Sequence, residues 1–334
     1  MASDSTLPPS YSAAYALPDT SVRRRRLAGY ALALTAGSLW GMTGPISEAL
    51  YKQGADITEI GFWRVLLAVL GFAVYGCFRP ALFRIDRRGL LVIGLGGGAL
   101  VALFEVAFQH AISNLGVAAA VTLLYTAPVM ITLLAGPLLK ERVTAVRVLL
   151  ALVVLAGVAM TVFGAQGAKP AWNAVGIVGG MVAAVSYAGT TLLARYAVPR
   201  YGSLRMLFWE LVGGTLLLAV LLPLVGRPFL PGGRFPEWMH ATQPWVYIVA
   251  LGISTVVLAN FAFFGATKRI DAAPTAVGAS CEPVVGSIAA LALFGQNLTP
   301  LGWTGLALVV SGVVTGYLRE ARETPEPVLE PPRP

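Results

Sequence analysis

Charged side chains are rare inside the long apolar runs of this sequence, so the few that occur there are the first candidates for chemistry. An ionised group in such a run costs about 3 kcal/mol or more unless it is paired or hydrated. Each one is therefore expected to bind an ion, carry a proton or form an internal ion pair. The four that lie well inside a run are Arg64, Glu105, Glu210 and Glu282.

Glu282 is the most isolated of these residues, because no other charged residue occurs between Asp271 and Arg319. Pro283 follows it directly, and a proline inside a helix removes a backbone donor and frees the carbonyl group four residues earlier. Three interpretations of Glu282 stay open. The carboxylate binds an ammonium group of a substrate, carries a coupling proton, or is a neutral structural glutamate hydrogen-bonded to a neighbouring helix.

Depth along the apolar runs indicates which of the other charges meet. At a rise of about 1.5 Å per residue, Arg64 lies about 10 Å and Glu105 about 8 Å from the same end of their runs. An ion pair between them is predicted, either as a structural clamp or as a direct contact for a substrate. Glu210 matches the depth of Asn260 on the next run, and Arg205 on its own helix is placed to neutralise it. Arg64 and Glu210 are predicted to be structural charges.

The elements that carry these residues are too apolar for water. Hydrophobic residues make up 57% of the chain and charged residues 12%, whereas soluble domains hold about 25% charged residues. A bilayer core needs roughly 20 apolar residues per spanning helix. Ten runs of that length predict an all-α polytopic membrane protein with spans at 28–50, 57–78, 90–110, 116–139, 146–164, 172–197, 203–225, 245–267, 274–294 and 300–318.

The net charge of +8 follows a topological pattern and does not indicate a nucleic-acid partner. If the N-terminus is cytoplasmic, the cytoplasmic loops and terminal segments hold 19 of the 24 Lys and Arg residues. This asymmetry is the positive-inside rule. It predicts a multi-pass protein of the cell (inner or plasma) membrane, surrounded by lipid, with both termini in the cytoplasm. The terminal segments, 1–27 and 319–334, are predicted to be disordered cytoplasmic tails.

The two halves of the chain resemble each other. Aligning Pro128 with Pro283, at an offset of 155 residues, superposes two proline-centred spans, and F-W-R at 62–64 matches F-W-E at 208–210. Each half holds five predicted spans, and because five is odd, the second half enters the membrane in the reverse sense. Inverted repeats of this kind build secondary transporters whose site lies near the membrane midplane. Both prolines are predicted helix kinks, and the predicted repeats are 28–164 and 172–318.

Three short motifs carry a family resemblance. A-G-S-L-W-G at 36–41 lies in the first span, L-L-K-E-R-V-T at 138–144 closes the fourth, and F-G-Q-N-L-T at 294–299 closes the ninth. In this order they resemble the EamA family of the drug/metabolite transporter superfamily, although Gln296 stands where that family more often has an acid. The resemblance implies transport of small metabolites, often export of amino acids or related compounds.

The same resemblance implies a central chamber lined by spans one, three, four, six, eight and nine, about which the two halves rock. Aromatic residues well inside these spans are read either as chamber walls or as plain packing. Proton coupling and a homodimer are both open. The predicted residues of the central cavity are Glu282, Trp40, Tyr125, Tyr187, Glu105, Gln109, Asn260 and Ser280.

Motifs of other chemistries are absent from the sequence or fall in the wrong context. No G-x4-G-K-[ST] occurs, so ATP is not expected to drive the protein directly. G-L-G-G-G-A at 94–99 lies inside a span, where small residues favour close helix contacts. His110 and His240 are isolated, and Cys77 and Cys281 form no metal pair. No metal, cofactor or catalytic residue is predicted.

The main alternative is a membrane-embedded enzyme that acts on a lipid-linked substrate. Such an enzyme needs clustered His, Asp, Ser or Arg residues at a membrane face. The sequence offers only Asp86 among Arg84, Arg87 and Arg88, and the topological pattern already explains these arginines. A channel would need rings of identical polar groups, which ten dissimilar spans do not supply. The sequence therefore favours a secondary carrier.

Overall fold

The computed structural model describes residues 20–115, 117–127, 130, 145–164, 173–224, 230, 237–240, 242–269, 279, 281–295 and 298–323. These residues are mostly helical and include no β-strand. Two short 3₁₀ helices cover Pro80–Phe83 and Glu237–His240. The longer helices are α1 (Thr20–Gly41), α2 (Thr43–Tyr51), α3 (Ile57–Phe78), α4 (Arg87–Leu115), α5 (Val117–Leu124), α6 (Ala145–Phe163), α7 (Ala174–Tyr201), α8 (Ser203–Leu224), α9 (Thr242–Thr267), α10 (Glu282–Phe294) and α11 (Pro300–Glu323).

Five of the described helices are long and apolar enough to cross a bilayer: α3, α4, α7, α8 and α9. The other predicted spans also contain helix, although most of the fourth span after residue 127 lies outside the described residues. The first predicted span is two helices, α1 and α2, separated at Met42. α1 already begins at Thr20, inside the segment predicted as a tail, and α11 continues to Glu323.

Polar residues fix where several of these helices start. The Asp56 side chain accepts a hydrogen bond from the backbone N–H of Thr58 at the start of α3, 2.9 Å away. Asp86 does the same for α4, and Asn173 for α7. Such caps satisfy N–H groups that have no partner within the helix. Between α7 and α8, Gly202 takes φ +79°, which lets one helix end and the next begin within a single residue.

The described bundle is apolar outside and polar in parts of its interior. Large apolar side chains on the outer faces are well exposed, including Val74, Leu216 and Leu224. Arg64, Glu105 and Glu210 are buried instead. Contiguous exposed apolar surface on this scale is not tolerated by a soluble monomer but matches contact with lipid tails.

Helices from the two halves of the chain interlock. α1 packs against α9 and α10, and α7 packs against α4 and α5. α3 packs against α8, and α6 packs against α11. Each of these contacts brings together one helix from each half of the chain. The halves therefore share one helical bundle.

Glycines allow the closest of these approaches, between α4 and α8. A Cβ atom added at Gly213 would overlap the carbonyl oxygen of Gly94, and one added at Gly98 would lie 2.5 Å from the carbonyl carbon of Gly213. The interpretation of G-L-G-G-G-A as a packing motif is thereby confirmed. Small residues are what let transmembrane helices come this close.

Substituting Gly213 with alanine is expected to destabilise the protein. The new methyl group collides with backbone, which cannot rotate away as a side chain would, and overpacking of this kind costs about 1–3 kcal/mol. Gly96→Ala is the matched control, because the nearest atom to its added Cβ is the Leu91 carbonyl oxygen at an ordinary 3.7 Å. Thermal unfolding in detergent compares the two variants. Equal midpoints would contradict the close contact.

Two helices contain stretches of wider, π-helical winding. These are Leu90–Gly97 within α4 and Ala250–Leu258 within α9. In the second stretch, the hydroxyl groups of Ser254 and Thr255 donate to carbonyl groups one turn earlier, those of Ala250 and Leu251. π-helical winding often marks places where a helix adapts to function. α4 and α9 are the helices at the third and eighth predicted spans, both expected to line the chamber.

Candidate functional site

Two helices are interrupted at equivalent points of the sequence. α5 ends at Leu124, and Tyr125 and Thr126 form a turn in which the Thr126 hydroxyl donates to the Leu123 carbonyl over 2.6 Å. α10 begins at Glu282, directly after a turn at Cys281. Thr126 and Cys281 are related by the same offset that relates the two prolines. Interrupted helices of this kind expose backbone groups, which is tolerated at membrane depth only inside protein or beside a cavity.

The prolines expected to cause these interruptions are only partly described. Pro128 lies outside the described residues. Pro283 is the second residue of α10, so its missing N–H falls in the first turn, where no helical partner exists for it. The kinks at both positions stay predictions.

Glu282 lies where three helices of the two halves converge. The Tyr125 hydroxyl donates a hydrogen bond to the Glu282 carboxylate. Tyr187 on α7 is near enough to interact electrostatically with the same carboxylate. On the other side, the absence of a side chain at Gly41 lets α1 approach the Glu282 backbone closely. The structure thus brings together three of the predicted cavity residues.

Two residues near the start of α10, Ser38 and Cys281, were not predicted from the sequence. Ser38 Oγ and Cys281 Sγ are 3.8 Å apart, and Cys281 Sγ is 3.4 Å from the Leu34 carbonyl oxygen. Cys281 directly precedes Glu282 in the chain, and Ser38 lies on α1, which packs against this position. The signal that was available is the position of Ser38 within the A-G-S-L-W-G motif at 36–41.

The remaining predicted cavity residues lie away from Glu282 or outside the described residues. The half-buried Trp40 ring on α1 packs against Phe263 of α9, with ring centroids 5.3 Å apart. The Asn260 side chain donates to the Val256 carbonyl of its own helix over 2.8 Å. Ser280 lies outside the described residues. Trp40 and Asn260 therefore belong to the α1 and α9 side of the bundle.

The ion pair expected between Arg64 and Glu105 is present. Nη1 of Arg64 lies 2.7 Å from Oε1 of Glu105, and the two side chains are 9% and 7% exposed. Nε of Arg64 and Oε2 of Glu105 have no hydrogen-bond partner. Gly61 leaves room for Glu105, since a Cβ there would lie 3.5 Å from the glutamate Cβ.

Tyr51 and Gln109 extend this pair into a larger buried group, here called the Arg64 cluster: Tyr51, Arg64, Glu105 and Gln109. The Tyr51 hydroxyl donates to Oε1 of Gln109, which is fully buried one turn after Glu105 on α4. Tyr51 also interacts electrostatically with both members of the ion pair. Glu105 and Gln109 therefore lie between α2, α3 and α4, in a group distinct from the one around Glu282.

Glu210 is buried without a cation among the described side chains. It is 2% exposed, and its Oε1 atom has no hydrogen-bond partner among the described residues. Thr190 on α7 is hydrogen-bonded to its carboxyl group, and Gly97 on α4 lies against its side chain. Arg205, expected to neutralise it, forms no ion pair with it, and Nε of Arg205 is itself buried without a partner. Thr190 had not been predicted.

Comparison with known proteins identifies the family. The sequence profile of the EamA-like transporter family matches residues 27–163 and, a second time, residues 174–317. The chain belongs to the EamA family. It is accordingly a multi-pass membrane protein of a transporter family, as its composition and motifs predict.

Individual relatives of this EamA protein carry transporter names. It is 29% identical over 280 residues to an uncharacterized transporter of Archaeoglobus fulgidus, covering 83% of this chain and 92% of that one. It is 28% identical over 203 residues to the pseudopaline exporter CntI of Pseudomonas aeruginosa, covering 59% and 67%. A transporter of Synechocystis sp. is 24% identical over 279 residues, covering 82% of each chain.

The fold is shared with a protein of known crystal structure. The superposition gives a TM-score of 0.65 and covers 89% of this EamA chain and 99% of the other. The two sequences are 18% identical, so the match concerns the fold alone.

At the end of the bundle where α4 begins and α7 ends, side chains of this EamA protein tie the two helices together. Asp86 Oδ1 accepts hydrogen bonds from the Tyr201 hydroxyl and from the backbone N–H of Gly89, each over 2.8 Å. Arg200 lies 3.6 Å from Oδ2 of the same carboxylate. The Tyr201 hydrogen bond, the Gly89 hydrogen bond and the Arg200 charge together lower the pKa of Asp86. The pKa of Asp86 is lowered only while these contacts are made. Their contribution to stability is therefore fully present above the ordinary pKa of an aspartate, and it is lost as pH falls through the lowered pKa of Asp86.

Tyr201→Phe is expected to raise the pKa of Asp86 toward its ordinary value, because the largest stabilising contact of the ionised form is removed. Tyr196→Phe serves as the matched control, since the Tyr196 hydroxyl accepts a hydrogen bond from Arg88 over 2.6 Å and donates none to Asp86. A carbon-13 NMR titration of labelled aspartate in both variants measures the pKa. An unchanged Asp86 titration in Tyr201→Phe would refute the assigned cause.

Proposed function

We propose that this EamA protein is a secondary active transporter that exports small metabolites, such as amino acids or related amine-bearing compounds. The observation that carries the proposal is the position of Glu282. Its carboxylate is hydrogen-bonded by Tyr125, faces Tyr187 and begins a helix where α1, α5, α7 and α10 meet. A charged group at the junction of two interlocked halves is where a carrier needs its site.

The charge around Glu282 indicates the kind of ligand. Among the described side chains, Tyr125 is hydrogen-bonded to the carboxylate and Tyr187 interacts with it electrostatically, and neither carries a positive charge. Glu282 is only partly buried within the bundle, but a carboxylate at membrane depth needs a positive partner or a proton. An ammonium group satisfies that need, and aromatic rings add cation–π attraction of about 0.5–2 kcal/mol. The similarity to an exporter, the pseudopaline exporter CntI, supports export of a small metabolite.

The packing of the two halves supports alternating access between inverted repeats. Gly37 on α1 packs against the backbone of Ala279, before α10. At the equivalent contact with the roles of the halves exchanged, Ala184 and Ala188 on α7 pack with Ala127, after α5. The two contacts involve the corresponding helices of each repeat, with small residues in both. Two consecutive matches to one family profile add to this support.

The positive-inside pattern supports the proposed orientation. Both termini would lie in the cytoplasm. The Asp86 tie between α4 and α7 would then face the cytoplasm, and the Arg64 cluster would lie in the outer half of the membrane. Rocking of the halves would open these two ends in turn.

Uptake into proteoliposomes tests the proposed function. Purified protein is reconstituted and supplied with a panel of labelled amino acids, polyamines and other amine-bearing metabolites, with and without a pH gradient, beside protein-free vesicles. We expect saturable uptake of at least one amine-bearing compound. Absence of uptake across the panel would overturn the proposal. Chemical conversion of a lipid-linked substrate in the same vesicles would favour a membrane-embedded enzyme.

A further inference from the structure

The buried carboxyl group of Glu210 is used by neither the Glu282 site nor the Arg64 cluster. It lies on α8, against the backbone of Gly97 on α4, whose added Cβ would come 3.1 Å from Cγ of Glu210. Cδ2 of Leu193 on α7 would lie 3.0 Å from the same added Cβ. The carboxyl group is therefore enclosed on three sides by α4, α7 and α8.

Among the side chains that the structure describes, those that face Glu210 carry no charge. From α7 they are Thr190, which is hydrogen-bonded to the carboxyl group, and Leu193. From α4 it is the Gly97 backbone. On α3, which also packs against α8, the central cation Arg64 is paired with Glu105. On α8 itself, the described cation nearest in sequence is Arg205, which makes no ion pair with it. An ionised carboxylate enclosed in this way costs several kcal/mol.

α7 connects this group with the proposed transport site. Tyr187 interacts with Glu282, and Thr190, three residues further along α7, is hydrogen-bonded to Glu210. Residues three apart on a helix lie on the same side, with Cβ atoms about 5–6 Å apart. The two carboxyl groups are thus linked to one face of one helix within a single turn.

We propose that Glu210 is a second proton-binding site of the transporter, which holds its proton while α4 is packed against α8 and releases it when the two helices separate. The inference rests on the proposed function, in which the α4 end of the bundle opens and closes. Because Gly97 covers the carboxyl group, water reaches Glu210 only after α4 has moved. The π-helical winding of α4 at Leu90–Gly97 is the stretch that would adapt. Proton release and opening of this end are therefore one coupled event.

Infrared spectroscopy of the reconstituted protein tests the bound proton directly. A protonated carboxyl group gives a C=O stretching band that a carboxylate lacks. We expect Glu210→Gln to remove one component of this band. Thr190→Val should shift the frequency of that component, since it removes the hydrogen bond to Glu210. Thr191→Val is the matched control, because the Thr191 hydroxyl donates to the Tyr187 carbonyl of its own helix over 2.9 Å.

Hydrogen exchange at the backbone amides of Leu90–Gly97 tests the coupling to opening. If opening releases one proton, the ratio of the wild-type exchange rate to the Glu210→Gln rate rises by up to about tenfold per pH unit. Thr190→Val keeps the carboxyl group, so its band shift tests the bound proton even if Glu210→Gln does not fold. A carboxyl band unchanged in Glu210→Gln, unshifted in Thr190→Val, or a ratio independent of pH, would overturn the proposal.

Neither measurement requires a substrate, so the two proposals fail separately. An ionised Glu210 would refute the second proton site without affecting the proposed transport function. Absence of uptake in the metabolite panel would refute the proposed function, and the protonation of Glu210 could still be measured.

Discussion

Glu282→Gln is expected to abolish uptake of the amine-bearing metabolite identified by the panel, with a loss of about two orders of magnitude or more in initial rate. Glutamine has nearly the same shape but carries neither the charge that balances an ammonium group nor an ionisable proton. Loss of one partner of a buried charge pair costs about 3–5 kcal/mol, and each 1.4 kcal/mol corresponds to about tenfold. Initial rates in proteoliposomes, measured against substrate concentration and pH, provide the readout.

Glu48→Gln is the control for this loss of charge. Glu48 lies at the other end of the first predicted span, 3.2 Å from Lys52 on the same helix, and its removal should leave transport within about twofold, since exposed pairs of this kind contribute about 0.5 kcal/mol or less. Tyr125→Phe should give an intermediate loss, because the carboxylate remains and only its hydrogen bond is removed. Wild-type rates and unchanged pH dependence in Glu282→Gln would rule out this carboxylate as the binding group.

Arg64→Ala is expected to cost about 3–5 kcal/mol of folding stability, because it leaves the buried Glu105 charge without its cation. Removing both partners in Arg64→Ala/Glu105→Ala should recover a large part of that loss. The free energy of unfolding, measured by denaturant titration in mixed micelles, completes the double-mutant cycle. Lys52→Ala, which breaks the exposed pair with Glu48, is the control and should change stability by about 0.5 kcal/mol at most. If the effects of the two single substitutions simply add, the pair is not coupled.

The positions of the five helices long and apolar enough to cross a bilayer could be read from the sequence, because hydropathy reports lipid contact. The second predicted span, 57–78, and helix α3, Ile57–Phe78, have the same limits, since Asp56 caps the helix at the edge of the apolar run. The start of α1 could not be found in this way. Its first turns contain Arg23 to Arg26, which are compatible with a helix in water but give no hydropathy signal. The helix therefore begins at Thr20, several residues before the predicted apolar run.

The ion pair between Arg64 and Glu105 could be predicted because two opposite charges at equal depth have a strong reason to meet. The partner of Glu210 could not. Arg205 is five residues earlier on α8, which turns it roughly 140° away around the helix, whereas Thr190 comes from another helix. An uncharged hydroxyl in an apolar run gives no signal of its own. Ser38 beside Cys281 was missed for the same reason, since which helices face each other is decided by packing.

The interlocking of α1 with α9 and α10 sets the order in which this protein can mature. Ser38 and Cys281, which meet in the folded protein, are 243 residues apart along the chain. During synthesis, α1 enters the membrane long before its packing partners exist. Contacts between such distant segments form late and are slow to form. The small-residue face of α1, which includes Gly37 and Gly41, therefore stays without its packing partner until α10 is made. A chain that stops before α10 cannot complete these contacts.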